Sequence, residues 1–252
     1  MAYDFPVTRQ TIDKLERWLN VLVQPLPPLK QVANKDGSFH WEFNEQTPRA
    51  LQIGKAVRMI SGIRAALMLA DAGYTVECFS LLRMVMEFAQ EIIAIAEGQL
   101  EERFTEPQER FIRQYYIPIT EDADELEQQE HERYVTREEL LKAHYRLYEK
   151  ATGDKTSLRT LTRFMHYTFD KYVHGAYLTS MELYDPYTES FMLRGHKSDR
   201  NRRAAKASVA GKLHHVVFAL RFMALIVGQE LLVQETSLAL NELEGSDEQS
   251  LR

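Results

Sequence analysis

Residues 76–96, VECFSLLRMVMEFAQEIIAIA, constrain the fold more than any other segment of this chain. They predict a helix that is apolar around almost its whole circumference, and helices of that kind are normally buried. A narrow polar stripe, covering an arc of roughly 100° on a helical wheel, interrupts the apolar surface. Its members are Ser80, Arg83, Glu87, Gln90 and Glu91. Because Arg and Glu are almost never fully buried without partners, the stripe predicts either an internal ion-pair lock or the floor of a site.

Helical patterns also dominate the rest of the chain, and they predict a mostly α protein. The predicted helices cover approximately residues 8–23, 48–72, 75–98, 106–117, 136–150, 157–174 and 199–242. We expect a helical bundle that forms a single α-helical domain over residues 1–252. The chain also predicts a long loop at 25–47, a small β-hairpin near 179–193, and an acidic helical excursion near 120–136 within the acidic segment 121–139.

Charge and cysteine content limit the compartment in which the chain works. The net charge is −6, and Cys78 is the only cysteine, which excludes an internal disulfide framework and indicates a reducing compartment. The first ten residues, MAYDFPVTRQ, lack the basic and apolar regions of a signal peptide. The most apolar run, 216–228, contains Arg221 and is too short to span a bilayer. We therefore expect a cytoplasmic protein that is not associated with a membrane.

Three polar residues recur at intervals of four along the predicted helix 157–174. Because of this spacing, His166, Asp170 and His174 stack along one line of the helix. They form a solvated polar face, an acid–base site in which Asp170 orients His174, or part of a metal site. Ligands on three successive turns span about 12 Å, which is too far to meet at one ion. The chain also lacks the Glu-x-x-His pair of di-iron bundles, so we expect neither a metal nor a cofactor.

The charges of the polar stripe have two interpretations. In the structural one, Arg83 and Glu87 form an intrahelical ladder, and a cation from another helix pairs with the stripe. Arg221 is the lone charge in VVFALRFMALIVG, so it is the expected cation, with Glu87 or Glu91 as its partner. We assign the structural ion pair to Glu91 and Arg221. In the functional interpretation, the partnered charges belong to a catalytic site inside the bundle.

Basic residues are concentrated in the stretch 194–212, RGHKSDRNRRAAKASVAGK. Contacts between such a cluster and phosphate groups would give salt-dependent binding of nucleic acid. Alternatively, the cluster balances the acidic segment 121–139 within or between subunits. The candidate nucleic-acid-binding residues are Arg194, Lys197, Arg200, Arg202, Arg203 and Lys206.

Two segments together are similar to a known family. LLRMVMEFAQEI at 81–92 places Arg-x-x-x-Glu on an apolar helix, and YTFDKYVHG at 167–175 is an aromatic helix that ends in His-Gly. This pairing resembles uncharacterised bacterial helical proteins that are distantly related to the HEPN superfamily. The resemblance implies an α-bundle dimer. Many HEPN proteins are metal-independent ribonucleases of toxin or antiphage systems, whereas others bind only nucleotides or protein partners.

The signature of HEPN nucleases is an arginine, four to six further residues, and a histidine. It occurs here as Arg159…His166 and as Arg137…His144, and only the first pair lies on the helix that ends in His-Gly. The resemblance implies that His166 takes the proton of a ribose 2′-hydroxyl while Arg159 stabilises the developing phosphorane. The complete candidate catalytic set is Arg83, Glu87, Arg159, His166, Asp170 and His174.

These observations lead to two expectations of different kinds. The first is a cytoplasmic HEPN-like protein that binds or cleaves RNA in a bacterial toxin or antiphage setting and forms a homodimer or binds a protein partner. The second is a non-enzymatic helical dimerisation or protein-interaction module, in which the buried ion pairs have a purely structural role.

Overall fold

The computed structural model describes residues 5–33, 37–117, 134–153, 156–196 and 198–250. Helices account for most of these residues, so the prediction of a mostly α fold is confirmed. The helices are α1 (Pro6–Val23), α2 (Pro48–Ala72), α3 (Thr75–Leu100), α4 (Glu106–Tyr115), α5 (Arg137–Thr152), α6 (Ser157–Val173), α7 (Tyr177–Met181), α8 (Asp199–Ile226) and α9 (Glu230–Ser250). The strands within the described residues are β1 (Leu29–Ala33), β2 (Phe39–Phe43), β3 (Tyr184–Asp185) and β4 (Ser190–Phe191).

Helix α3, which contains the apolar segment 76–96, lies at the centre of the bundle. It packs against α2, α5, α6 and α8, and Leu82, Met86, Ile92 and Ile93 are almost completely buried. Each such side chain contributes about 1.5–3 kcal/mol through its burial. The core around α3 is continuous and includes side chains from α1, α2, α5, α6, α8 and α9. The predicted burial of this helix is therefore confirmed.

The two ends of α2 follow from local sequence signals. The hydroxyl of Thr47 accepts a hydrogen bond from the backbone N–H of Ala50 at 3.1 Å, and Pro48 occupies the first turn. At the other end Gly73 has a φ of +88°, and its carbonyl accepts a hydrogen bond from the backbone N–H of His196 at 2.8 Å. A side chain at position 73 would collide with the backbone of His196. The glycine therefore ends the helix and anchors the segment that precedes α8.

The prediction of one long helix over 199–242 is wrong, because the chain breaks between α8 and α9. Gly228 has a φ of +67°, and the N–H of Gln229 donates to the carbonyl of Ala224 at 3.0 Å. This is a glycine helix stop of the kind that leaves the chain free to change direction. As a result α9 packs against α8 and α1.

Both regions predicted to lack long helices contain β-structure. The predicted loop at 25–47 contains β1 and β2, which pair in antiparallel register. The predicted hairpin near 179–193 is confirmed in a shorter form: Tyr184 pairs with Phe191, and α7 occupies the first residues of that segment. Helical hydrogen bonds begin immediately after Gly175, for example from the N–H of Ser180 to the carbonyl of Ala176 at 3.1 Å. The residues that follow Gly175 are therefore helical, and the strands are short.

The acidic excursion predicted near 120–136 falls largely on residues 118–133, which lie outside the described residues. Its end is described, and α5 begins there with a capping box. Thr136 accepts from the backbone N–H of Glu139, and the Glu139 carboxylate accepts from the backbone N–H of Thr136. This box fixes the start of α5, the helix that forms one wall of the candidate site.

Among the described residues, one helix, α8, has the length and apolarity that a membrane span requires. Its apolar window is 56% buried within the bundle. Leu213, Val216 and Leu220 are completely buried, and α8 packs against α3. These features are typical of a core helix.

Candidate functional site

The polar stripe of α3 meets α6 at a buried arginine. The Arg83 side chain is only 6% exposed, and its Nε donates to Oδ1 of Asp170 on α6 at 2.6 Å. Its Nη1 lies 2.7 Å from Oε1 of Glu87, and Arg137 of α5 approaches the same carboxylate at 3.6 Å. The ladder of Arg83 and Glu87 and an interhelical ion pair are thus both present. They join α3 to α5 and α6.

The expected ion pair between Glu91 and Arg221 does not form. Glu91 instead pairs with Lys55 of α2 at 2.9 Å, and both side chains are largely buried. Burial raises the pKa of Glu91, while the charge of Lys55 acts in the opposite direction. The Lys55 ammonium lies 5.0–5.5 Å from the ring centroids of Phe88, Phe111 and Tyr115. These aromatic faces and one carboxylate hold the cation on the α2 side of α3, whereas Arg221 of α8 lines a separate cavity.

Part of the stripe also borders empty space. Glu87, Gln90 and Glu91 line a small cavity of about 110 Å³, together with Arg137 at the start of α5. The two interpretations of the stripe are therefore compatible, because the same side chains form ion pairs and face a cavity.

His166 is buried, although the sequence placed it on a polar face of α6. The residues of α6 that are buried include Thr162, Met165, His166 and Phe169, which follow the i, i+3, i+4, i+7 spacing of one helix face. His166 is only 5% exposed. The histidine thus lies on the face that packs into the bundle, and the predicted polar face of α6 is shifted by about one position around the helix.

The environment of His166 keeps its imidazole neutral. Its Nε2 lies 3.0 Å from Oε1 of Gln90 on α3, and its Nδ1 is buried without a hydrogen-bond partner. Burial, together with the positive charge of Arg83, lowers the pKa of His166 to about 4. An acceptor at Nε2 places the ring proton on that nitrogen, so Nδ1 carries the lone pair. The ring is therefore held as an unprotonated base.

A groove with a volume of about 700 Å³ lies between α5 and α6 beside this histidine. His166 and Asp170 both line it, so the candidate acid–base residue and the ion pair with Arg83 are neighbours. Its lining includes four cations, namely Arg137, Lys142, Arg159 and Arg163. One acidic residue besides Asp170, Glu138, lines the groove as well. The groove therefore has a mainly basic lining that includes one buried neutral base.

Aromatic rings line the same groove. Tyr145 and Tyr167 contribute to its walls, and the guanidinium of Arg159 lies 5.4 Å from the Tyr145 ring centroid. Such a stacked pair orients the arginine and offers a flat surface for a base or sugar.

The structure separates His174 from this site. It is exposed at the C-terminal cap of α6, and its backbone N–H donates to the Asp170 carbonyl at 3.0 Å. The Asp170 carboxylate is hydrogen-bonded to Arg83, so the predicted orientation of His174 by Asp170 does not form. The reason is geometric: the buried guanidinium of Arg83 lies within reach of Asp170 and holds its carboxylate.

The predicted phosphate anchor at 194–206 also lies apart from the groove. Lys206 is bound to Asp71 at 2.7 Å, and Arg9 shares the same carboxylate, so Lys206 has a structural role. Arg194 lines a different cavity beside the β3–β4 hairpin. The remaining cluster members that the structure describes are Arg200 and Arg203, which are exposed, and Arg202, which is partly buried; Lys197 lies outside the described residues.

The α5 wall of the groove has no clear signature in the sequence. Arg137 belongs to one of the two Arg…His signatures, whereas Lys142 and Tyr145 belong to no recognisable motif. They enter the site because α5 and α6 both pack on α3. Lys55 carries a weaker sequence signal than Arg221, because a second cation, Arg58, stands three residues further along the same apolar stretch, LQIGKAVRMI.

In the part of the chain that the structure describes, no three His, Cys, Asp or Glu side chains are grouped so that they could hold a metal ion. No protein-family model matches the sequence, and no curated protein or solved structure is significantly similar to it. The resemblance to HEPN proteins therefore remains a prediction from the two sequence segments.

Proposed function

We propose that this protein binds single-stranded RNA in the groove between α5 and α6 and cleaves it without a metal. One observation carries the proposal: a buried neutral imidazole with an unpartnered Nδ1 lines a groove that four cations surround. Cations position the phosphates of a nucleic acid, and a neutral imidazole accepts a proton. We place the protein in the cytoplasm, as a homodimer in a toxin or antiphage system, in line with the resemblance of its sequence.

The proposed reaction is transesterification at phosphorus. Nδ1 of His166 is covered in the free protein, so the bound RNA must bring a ribose 2′-hydroxyl into contact with it. Nδ1 then accepts the hydroxyl proton, and the 2′-oxygen attacks the adjacent phosphorus. The bond from phosphorus to the 5′-oxygen breaks, leaving a 2′,3′-cyclic phosphate on one fragment, and the departing 5′-oxygen takes a proton from solvent. Arg159 stabilises the charge that develops on the phosphoryl oxygens, while Arg83 and Asp170 fix α6 against α3. His166 then returns its proton to solvent.

The test is cleavage of single-stranded RNA by the purified protein in the presence of EDTA. Replacing His166 by Ala is expected to lower the rate by about a hundredfold or more, because a general base is lost. His174→Ala is the matched control: it changes a histidine of the same helix segment that is exposed and does not line the groove. RNA with a 2′-deoxy substitution at the cleaved position is expected to resist cleavage. Intact RNA and absence of RNA binding in the folded wild-type protein would refute the proposal.

The pH dependence of kcat/KM below pH 7 gives a second readout of the same test. Because the pKa of His166 is lowered to about 4, the base is still unprotonated at pH 5.5, and kcat/KM should be nearly constant from pH 7 to 5.5. A base with the ordinary pKa near 6.5 would lose roughly tenfold over that interval.

A second candidate function is a dimerisation module without catalysis, and three highly exposed apolar side chains favour it. Tyr177 and Leu178 of α7 are 76% and 71% exposed, and Leu193 beside the β3–β4 hairpin is 76% exposed. Large apolar groups exposed to solvent are typical of an interaction surface, and in a homodimer the second copy of the chain would cover them. Leu178→Glu should then shift the protein from dimer to monomer in analytical ultracentrifugation. Leu231→Glu, on α9, changes a leucine of equal exposure (75%) and should leave the mass unchanged. A wild-type protein that sediments as a monomer would exclude this candidate.

A further inference from the structure

A second cavity, of about 400 Å³, lies among α5, α8 and α9 and shares no lining residue with the RNA groove. Its polar lining brings together His144 of α5 with His214, His215 and Arg221 of α8. Its apolar lining includes Phe218 and Leu240. Apolar walls with a few convergent polar groups are typical of small-molecule sites, and the volume falls in their usual range.

Three polar atoms of the lining, one each on His144, His215 and Arg221, are buried and have no hydrogen-bond partner. His144 is only 3% exposed, and its Nδ1 is buried without a hydrogen-bond partner; the Nε of Arg221 is in the same condition. A buried polar atom without a partner costs about 1–3 kcal/mol, and native proteins contain few of them. A ligand that bonds to these groups would remove that cost.

The charge of the cavity indicates the kind of ligand. Arg221 carries a permanent positive charge, and within the described ranges it takes part in no ion pair or hydrogen bond. Burial lowers the pKa of His144 to about 4, so at pH 7 its imidazole is neutral and can donate one N–H. Glu244 also lines the cavity and would weaken the binding of any anion there. An oxyanion is the group that a guanidinium and an imidazole N–H recognise together.

We propose that this cavity binds a small organic anion, in which a carboxylate or phosphate group contacts Arg221 and His144 while a short aromatic or aliphatic body packs against Phe218 and Leu240. The proposal does not depend on RNA cleavage, because the cavity and the groove have no lining residue in common. It assigns Arg221 a role in ligand binding instead of the structural ion pair that the sequence suggested.

The experiment uses the full chain and four probes: phenyl phosphate, benzoate, inorganic phosphate and acetate, each titrated by calorimetry at constant ionic strength. Phenyl phosphate or benzoate should bind at least about tenfold more tightly than the corresponding anion without a ring, because only the aromatic probes use the apolar wall. The stronger of the two aromatic probes identifies phosphate or carboxylate as the preferred group. Absence of binding by both aromatic probes at about 10 mM would overturn the proposal.

Variants of the cavity connect the binding to its residues. Arg221→Met should weaken the better probe at least about tenfold, and Glu244→Gln should strengthen it, because a like charge is removed. His144→Leu is the second test should the Arg221 variant fail to fold, and it should weaken binding as well. Arg159→Ala, in the RNA groove, should leave the affinity unchanged. Equal affinity in the wild type and a folded Arg221 or His144 variant would overturn the proposal while leaving the RNA groove untouched.

Discussion

The free energy of unfolding is expected to fall steeply as the pH drops from 6.5 to 4. Burial lowers the pKa of His144 and His166 to about 4 and that of His215 to about 3. Unfolded imidazoles have a pKa near 6.5, so below that pH the unfolded chain binds protons that the folded protein does not. Each histidine contributes stability that is fully present above pH 6.5 and is lost as the pH falls towards its folded pKa, on the order of 3 kcal/mol by pH 4. Three such losses approach the stability of a whole domain, about 5–15 kcal/mol, so we expect acid unfolding above pH 4.

Urea denaturation followed by circular dichroism at a series of pH values checks this result. His144→Leu should reduce the pH dependence by about a third, because one of three similar contributions is removed. His174→Gln replaces an exposed histidine and should leave the dependence unchanged. Glu91→Gln should make it steeper, because burial raises the pKa of Glu91 and its protonation favours the folded state. A free energy of unfolding that stays constant between pH 6.5 and 5 would show that these imidazoles are hydrated in solution.

The fold was predictable where a strong local signal coincided with the tertiary arrangement. The apolar surface of residues 76–96 predicted a central helix, and the Thr47–Pro48 and Gly73 signals gave both ends of α2. The break at Gly228 was missed because apolar residues on both sides of it continue a helical pattern. A glycine within such a pattern is compatible with either a stop or a continuous helix, and here its left-handed conformation decides for the stop.

The candidate site was only partly predictable, because its geometry depends on how three helices pack. Spacing along α6 suggested that Asp170 serves His174, yet the nearest strong donor to Asp170 is Arg83 of α3, which lies 87 positions away in the chain. The same limitation explains Glu91: the sequence pointed to Arg221, the lone charge of its apolar run, whereas the arrangement of α2 beside α3 gives Glu91 the ammonium of Lys55 as its partner. Sequence spacing identifies which side chains need partners, whereas packing determines which partners they receive.

Asp170→Ala is expected to lower the free energy of unfolding by about 3 kcal/mol at pH 7, because it leaves a buried cation with too few partners. The Nε of Arg83 donates to Asp170 at 2.6 Å, whereas its Nη1 lies near Glu87 without a well-formed hydrogen bond. Arg83→Met should cost only about 1 kcal/mol or less, since it removes the buried charge and keeps most of the apolar volume. The Asp170 and Glu87 side chains that remain are 41% and 37% exposed, so water can hydrate them.

The double variant Arg83→Met/Asp170→Ala separates this explanation from a simple loss of contacts. With no buried cation left, the additional cost of Asp170→Ala should fall to a few tenths of a kcal/mol, so the two single effects should be strongly non-additive. Urea denaturation of the wild type, the two single variants and the double variant gives the four free energies of unfolding that the double-mutant cycle compares. Because the charge of Arg83 helps to lower the pKa of His166, Arg83→Met should also raise that pKa, which NMR titration of the imidazole reports. Additive effects, or a larger cost for Arg83→Met than for Asp170→Ala, would mean that the guanidinium is hydrated and that the contact between α3 and α6 is held by apolar packing alone.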